Sequence, residues 1–185
     1  GPPEAHMKRL LAARSGSIFQ VSRVFRQNER GERHNSEFTM LEWYGVGSTW
    51  LEQLDITESL VRTATAAAAN ITNLDVAEQW CGDAFRRTTY TAAFQRTFEI
   101  DVLDASGREL IETALRHDVV LPADLHEDCI DDILNVMLAL AVEPQLGGSH
   151  AETRVHPEFL CDYPPSQAAL AVLSDTYPPV ARRFE

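Results

Sequence analysis

Three arginines, a histidine and two asparagines crowd the segment 26–35, between two runs of β-forming residues. Arg26 closes the first run, Ile18 to Arg26. Arg30, Arg33, His34 and Asn35 follow in a polar loop, and Phe38 to Tyr44 makes the second run. Guanidinium groups carry permanent positive charge and a rigid fork of N–H donors that matches phosphate and carboxylate oxygens. Mounted between two strands, they suit an anionic ligand such as a nucleoside triphosphate. Arg26 sits where strand order can hold it still. There it could grip an α-phosphate and offset the charge that builds as pyrophosphate leaves. Arg30 and Arg33 could follow the β- and γ-phosphates.

Alternation along the second run puts Phe38, Met40, Glu42 and Tyr44 on one face and Thr39, Leu41 and Trp43 on the other. A carboxylate on the mainly apolar face is costly unless paired. An arginine, a metal ion or an amine would serve Glu42. Along the first run Phe19, Val21 and Phe25 share a face, with Arg23 among them. His34 reads as a hydrogen-bonded structural residue. His126-Glu127-Asp128-Cys129 has the residue types of a metal site, but its position at an expected helix start favours acidic capping. No metal ligands are assigned within this chain. HExxH, GxSxG and P-loop patterns are absent, and no serine or cysteine has the setting of a nucleophile.

The elements that must position these groups are legible in outline. Residues 5–14 form a helical pattern with Met7, Leu10 and Leu11 on one face, ended by Ser15-Gly16-Ser17. Gly45-Val46-Gly47 is a turn. Thr49 and Glu52 form a capping box opening a helix to about Asn70. A short strand is expected over Phe85 to Tyr90, and helices over Tyr90 to Ile100 and Ser106 to His117. Asp124 is expected to cap a further helix whose stripe includes Ile130, Ile133, Leu134, Met137, Leu138 and Ala141. The proline-rich tail contains one apolar helical segment, Ser166 to Leu173. The pattern is α+β: an antiparallel hairpin, then mostly helices. Two strands do not make a stable sheet alone, so the sheet is expected to continue beyond the ends of the chain. Gly1-Pro2-Pro3-Glu4 leads directly into a helix, as a cut within a longer chain would.

At 185 residues the chain is expected to form one domain, 1–185. Its net charge of −12 is uneven: residues 1–33 carry seven of the 16 basic residues and three acids, and the rest of the chain is strongly acidic. That balance argues against general nucleic-acid binding and permits a small anion or a basic partner. No apolar run approaches the ~20 residues of a membrane-spanning helix. Cys81, Cys129 and Cys161 are odd in number and far apart, which points to a reducing, cytoplasmic setting.

Phe25-Arg26, with Arg33-His34-Asn35-Ser36-Glu37-Phe38-Thr39-Met40-Leu41-Glu42-Trp43-Tyr44, resembles motif 2 of class II lysyl-tRNA synthetases and of their paralogues, the elongation factor P β-lysine ligases. Pro3-Glu4-Ala5-His6-Met7-Lys8-Arg9-Leu10-Leu11 resembles the family's substrate-entry segment. Val142-Glu143-Pro144 and Asp162-Tyr163-Pro164-Pro165-Ser166-Gln167-Ala168-Ala169-Leu170-Ala171 resemble the ligases, and the second differs from the synthetases.

The resemblance implies a class II synthetase-like antiparallel sheet flanked by helices, here incomplete. It also implies an ATP-dependent ligase of the cytoplasm. A lysine-type amino acid, α- or β-lysine, would attack the α-phosphate of ATP, and the aminoacyl group would pass to a lysine of elongation factor P. Glu4 would hold the substrate ammonium and Tyr44 would line the amino-acid pocket. Arg26 would be the catalytic arginine on the α-phosphate. Asn35 would contact ATP, and Asn28 or Glu29 would read adenine. Mg²⁺ would be held by residues following Arg183-Phe184-Glu185, and the full-length parent would be a homodimer. The chain departs from the motif at Gln27, Ser36, Pro2 and Ala5. It lacks motifs 1 and 3, so the isolated chain is expected to be inactive. Two other readings stand beside this one: a lysyl-tRNA synthetase core using tRNA, against which Ser166-Gln167-Ala168-Ala169 speaks, and a non-catalytic paralogue acting as a binding module.

Overall fold

The computed structural model describes residues 3–27, 31, 34–72, 84–148 and 156–185. They fall into two compact units, 1–53 and 54–185.

The first unit opens with helix α1, Glu4–Ala12. Pro3 precedes it, and the Pro3 carbonyl accepts from the amides of His6 and Met7, which satisfies donors that a helix start leaves open. Glu4 lies in the first turn, where the helix dipole favours an acid, and pairs one turn on with Lys8. Met7 is the buried residue of this helix, and Leu10 is exposed. Strands β1 (Ile18–Phe25) and β2 (Glu37–Tyr44) pair antiparallel without interruption, from Ile18 opposite Tyr44 to Phe25 opposite Glu37. The pairing continues into the loop through the Arg26 amide, which donates to the Ser36 carbonyl at 2.9 Å.

The face that Phe19, Val21, Arg23 and Phe25 share is the exposed one. Phe19, Val21 and Phe25 are 75%, 61% and 59% exposed, while Val24 on the opposite face is buried. The sheltered face carries Ile18, Ser22 and Val24 against Phe38, Met40, Glu42 and Tyr44. Phe19, Val21 and Phe25 are the more hydrophobic set, but strand pairing ties their face to Thr39 and Glu37, which are exposed. Arg23 pairs with Glu37 at 2.6 Å on the exposed side.

Helix α2, Trp50–Thr72, starts at the expected box. The Glu52 amide donates to Thr49 Oγ1 at 3.2 Å, and the Thr49 amide donates to Glu52 Oε2 at 2.6 Å. Gln53 ties this start to the end of β2. It accepts from Trp43 Nε1 at 2.7 Å and donates to Ser48 Oγ at 2.6 Å.

The second unit is built on a three-stranded sheet of β3 (Arg86–Thr89), β4 (Glu158–Tyr163) and β5 (Ala181–Phe184). β3 and β4 are parallel, and β4 and β5 are antiparallel. Helices α3 (Tyr90–Phe98), α4 (Gly107–Arg116) and α5 (Ile130–Met137) bury Tyr90, Phe94, Leu110, Ile133, Leu134 and Met137 in one core. Thr89 caps α3, and Ser106 with Glu109 makes a capping box on α4. Gly107 permits a close approach here: a Cβ at this position would overlap the Glu127 carbonyl.

Two expectations fail in this unit. Asp124 does not cap α5, which begins at Ile130 after Cys129, with no side-chain cap. The tail does not form a helix over 166–173. A single 3₁₀ turn, Pro165–Gln167, stops before Ala169, whose φ of 50° is left-handed. Leu170 and Val172 are exposed, so no buried stripe supports a longer helix. The sheet also has members the sequence did not reveal. β4 is buried along nearly its whole length and lacks polar alternation, and β5 is Ala-Arg-Arg-Phe.

Glu158 is the charged residue set deepest in this sheet, its side chain 1% exposed. It accepts from the Thr88 hydroxyl and from the Gly147 amide at 2.7 Å, with Arg96 at 3.6 Å. Burial alone would raise its carboxyl. The Thr88 and Gly147 hydrogen bonds and the arginines outweigh that and hold it below the usual carboxylate range.

Candidate active site

β2 delivers Glu42 and Tyr44 to one face of the hairpin, because residues two apart on a strand point the same way. The Tyr44 hydroxyl donates to Glu42 Oε1 at 2.7 Å. This is the partner that the inward Glu42 required, a phenol rather than an arginine, metal ion or amine. Burial pushes the Tyr44 phenol well above its ordinary range. The hydrogen bond to Glu42, the Glu42 charge and the Glu4 charge push it further. The field of Glu4 therefore reaches Tyr44, and two carboxylates and a phenol form one electronegative neighbourhood. Such a neighbourhood suits an ammonium group with a carbon stem: acceptors for its N–H donors, negative charge for its cation and an aromatic wall.

Arg26 stands at the other end of the hairpin. Its Cζ lies 5.3 Å from the centroid of the Phe38 ring, a cation–π distance that sets the plane of the guanidinium while the side chain stays exposed. Asn35 is exposed in the same loop. His34 exchanges backbone hydrogen bonds with Gly31 at 3.1 and 3.3 Å, a structural role. Asn28, Glu29, Arg30 and Arg33 lie outside the described residues. The structure thus brings Glu42 and Tyr44 together, with Glu4, itself paired with Lys8, acting on Tyr44 by charge, and places Arg26 and Asn35 in the loop that β1 and β2 carry. Glu42 was missing from the expected site residues. Its signal was present, an acid on the sheltered face two positions before Tyr44.

Among the described residues, no three His, Cys, Asp or Glu side chains converge as metal ligands would. His126, Glu127, Asp128 and Cys129 form no such group. The residues described do not fit Mg²⁺. Among the described residues no helix is long and apolar enough to cross a membrane.

The profile of the family "tRNA synthetases class II (D, K and N)" matches residues 2–185. The chain belongs to this family. As a class II synthetase domain it is α+β, as its helices and mixed sheets are. It is 41% identical over 99% of its length to an elongation factor P–(R)-β-lysine ligase of Yersinia enterocolitica. Proteins of the same name from Vibrio cholerae and Vibrio vulnificus are 37% and 38% identical over the same share. The chain spans about half the length of these relatives, 50% in each case.

Proposed function

We propose that this class II domain serves a protein that activates a lysine-type amino acid with ATP and transfers it to a lysine of elongation factor P. The carrying observation is the Glu42–Tyr44 pair on the sheltered face of the hairpin, on which the Glu4 charge also acts. The names of relatives 37–41% identical support the choice of amino acid and acceptor. In this reading the substrate ammonium sits among Glu4, Glu42 and Tyr44. Arg26 takes the α-phosphate, its plane preset by Phe38, and moderates the charge on the leaving pyrophosphate. Asn35 contacts ATP, and Asn28 or Glu29 reads the adenine. The two units act as one partial synthetase domain, in keeping with a single family match over 2–185. The protein works in the cytoplasm.

Adenylation belongs to a protein of the relatives' full length, and the 185-residue chain alone is expected not to catalyse it. The test is ATP–pyrophosphate exchange with α-lysine and with β-lysine, in a full-length protein carrying this segment and its R26A and E4Q variants. Lysine-dependent exchange lost in both variants supports the reading. Exchange unaffected by R26A overturns it. The family also contains tRNA synthetases, so the aminoacyl product is trapped with elongation factor P in one arm and tRNA in the other. Charging of tRNA alone would replace the protein acceptor.

A further inference from the structure

The second unit contains a cavity of about 500 Å³ whose walls include Asn135, Glu143, Tyr163, Gln167 and Arg183, none of them on α1 or the hairpin. Several irregularities of the backbone meet on it. α5 runs into a π-helical turn, Leu138–Val142, and Glu143 follows immediately. Turns of this kind are rare and gather at functional positions. Ala169, on the wall, and Asp162, next to Tyr163, are left-handed, with φ of 50° and 57°. Neither is glycine, so both conformations cost energy that the surroundings must supply. Beneath the wall Tyr90 is fully buried, its ring 5.0 Å from that of Tyr163 and its hydroxyl toward Gln167.

The polar groups of the cavity divide into engaged and unengaged ones. Arg183 donates from Nη1 to the Gln167 carbonyl at 2.7 Å, pairs with Glu185 and stacks 4.4 Å from the Tyr163 ring centroid. Ser166 donates to Asp131 at 2.7 Å, and the Tyr163 hydroxyl bonds Glu185. Glu143 has no ion pair among the described residues, and its charge falls on Tyr163. The positive charge is therefore already neutralised, and the spare charge is a carboxylate beside an aromatic ring. Asn135 Oδ1 takes one long bond from Gln167 Nε2 at 3.4 Å and retains acceptor capacity. These are complements of a cation with N–H donors and an apolar stem.

We infer that this cavity is a subsite for a primary ammonium on an aliphatic stem, held by Glu143 against Tyr163, with Asn135 accepting from the nitrogen. The group could belong to a free lysine-type amino acid or to a lysine side chain of a protein. The inference does not depend on the adenylation reading, because it uses no residue of the hairpin or of α1.

The test is a ¹H–¹⁵N titration of the 185-residue chain at neutral pH with n-butylammonium, free lysine, lysine capped at both ends, and n-pentanol as the neutral isostere. Saturable shifts at Gln167, Asn135 and residues 166–169 are expected with the amines and not with the alcohol. The E143Q variant, altered at an exposed position, should bind the amines about tenfold more weakly or worse, the loss expected for a charged hydrogen-bond partner. N135D, which adds a carboxylate, should bind them more tightly. E4Q should leave these shifts unchanged, which separates this subsite from the hairpin. Capped lysine binding as well as free lysine identifies a side-chain ligand, and free lysine alone identifies the amino acid. Absence of saturable shifts, equal shifts with pentanol, or undiminished binding in E143Q overturns the inference.

Discussion

Tyr44 donates its phenolic hydrogen to Glu42, two residues earlier on the same strand and on the same face. The pair holds a neutral phenol against a carboxylate, so the strand presents negative charge without a bound counter-ion. Replacing Glu42 removes two of the causes that raise the phenol. In E42Q, Tyr44 should titrate nearer the ordinary tyrosine range than in the parent chain. A phenol raised on folding stabilises the fold fully below its unfolded value and ceases to do so as pH climbs above about 10. Tyr90 and Tyr163 are also raised, so the measurement needs residue-resolved NMR of Tyr44, with Y44F as the assignment control. An unchanged Tyr44 titration in E42Q would refute the assignment.

Arg26 and Phe38 should act together on a nucleotide. R26A is expected to weaken ATP binding by roughly 1.5–3 kcal/mol, the range for a hydrogen bond to a charged group. F38A should cost about 0.5–1 kcal/mol at this exposed site, through loss of the platform beneath the guanidinium. R26K restores charge but not the planar fork, so it should recover little. Calorimetric titration of ATP into the chain and the three variants checks the order: R26A and R26K weakest, F38A intermediate.

Glu158 gives the second unit a predictable acid limit. Its carboxyl is lowered in the fold, so its contribution is present above the unfolded value and is lost as pH falls through the folded one, below roughly 4.3. E158Q should be destabilised by about 1–3 kcal/mol at neutral pH, because Thr88, Gly147 and Arg96 lose a charged acceptor. The gap between parent and variant should narrow as the pH is lowered. Thermal melts across pH 3 to 7 measure it, and a gap that widens in acid contradicts the account.

Gly107 should tolerate no side chain. G107A forces the start of α4 away from the Glu127 carbonyl and should lower stability by more than loss of the neighbouring cap. S106A removes the hydroxyl that accepts from Glu109 and should cost about 1 kcal/mol. Denaturant midpoints of the two variants, compared at constant slope, test the order.

The sequence announced those parts of the molecule whose determinants are local. The helix starts at Thr49 and Ser106 are written in capping residues three apart, and the hairpin in a polar loop between two β-forming runs. The fate of Phe19, Val21 and Phe25 was not local, because hydrophobicity does not say which face of a two-stranded ribbon is covered. β4 was hidden for a related reason. Parallel pairing with β3 buries its flanks and erases the alternation that marks a half-exposed strand. Of the candidate site, Arg26 could be proposed from its place at the end of a strand, and Glu4 and Tyr44 only from the resemblance. The bond between Tyr44 and Glu42 could be named only after the strand was built. The cavity of the second unit was beyond reach, since Asn135, Glu143, Tyr163 and Arg183 meet only through the packing of α5, β4 and β5.

The order of the second unit's sheet constrains how a nascent chain can acquire it. β4 must find β3 across a long intervening stretch, Arg86 opposite Glu158. Its other edge is zipped by reciprocal amide–carbonyl bonds between Leu160 and Glu185. Until β5 is in place, β4 has one open edge and the core beneath it one unsealed side. Deleting β5, Ala181–Phe184, should therefore leave an aggregation-prone species rather than a slightly shorter native one.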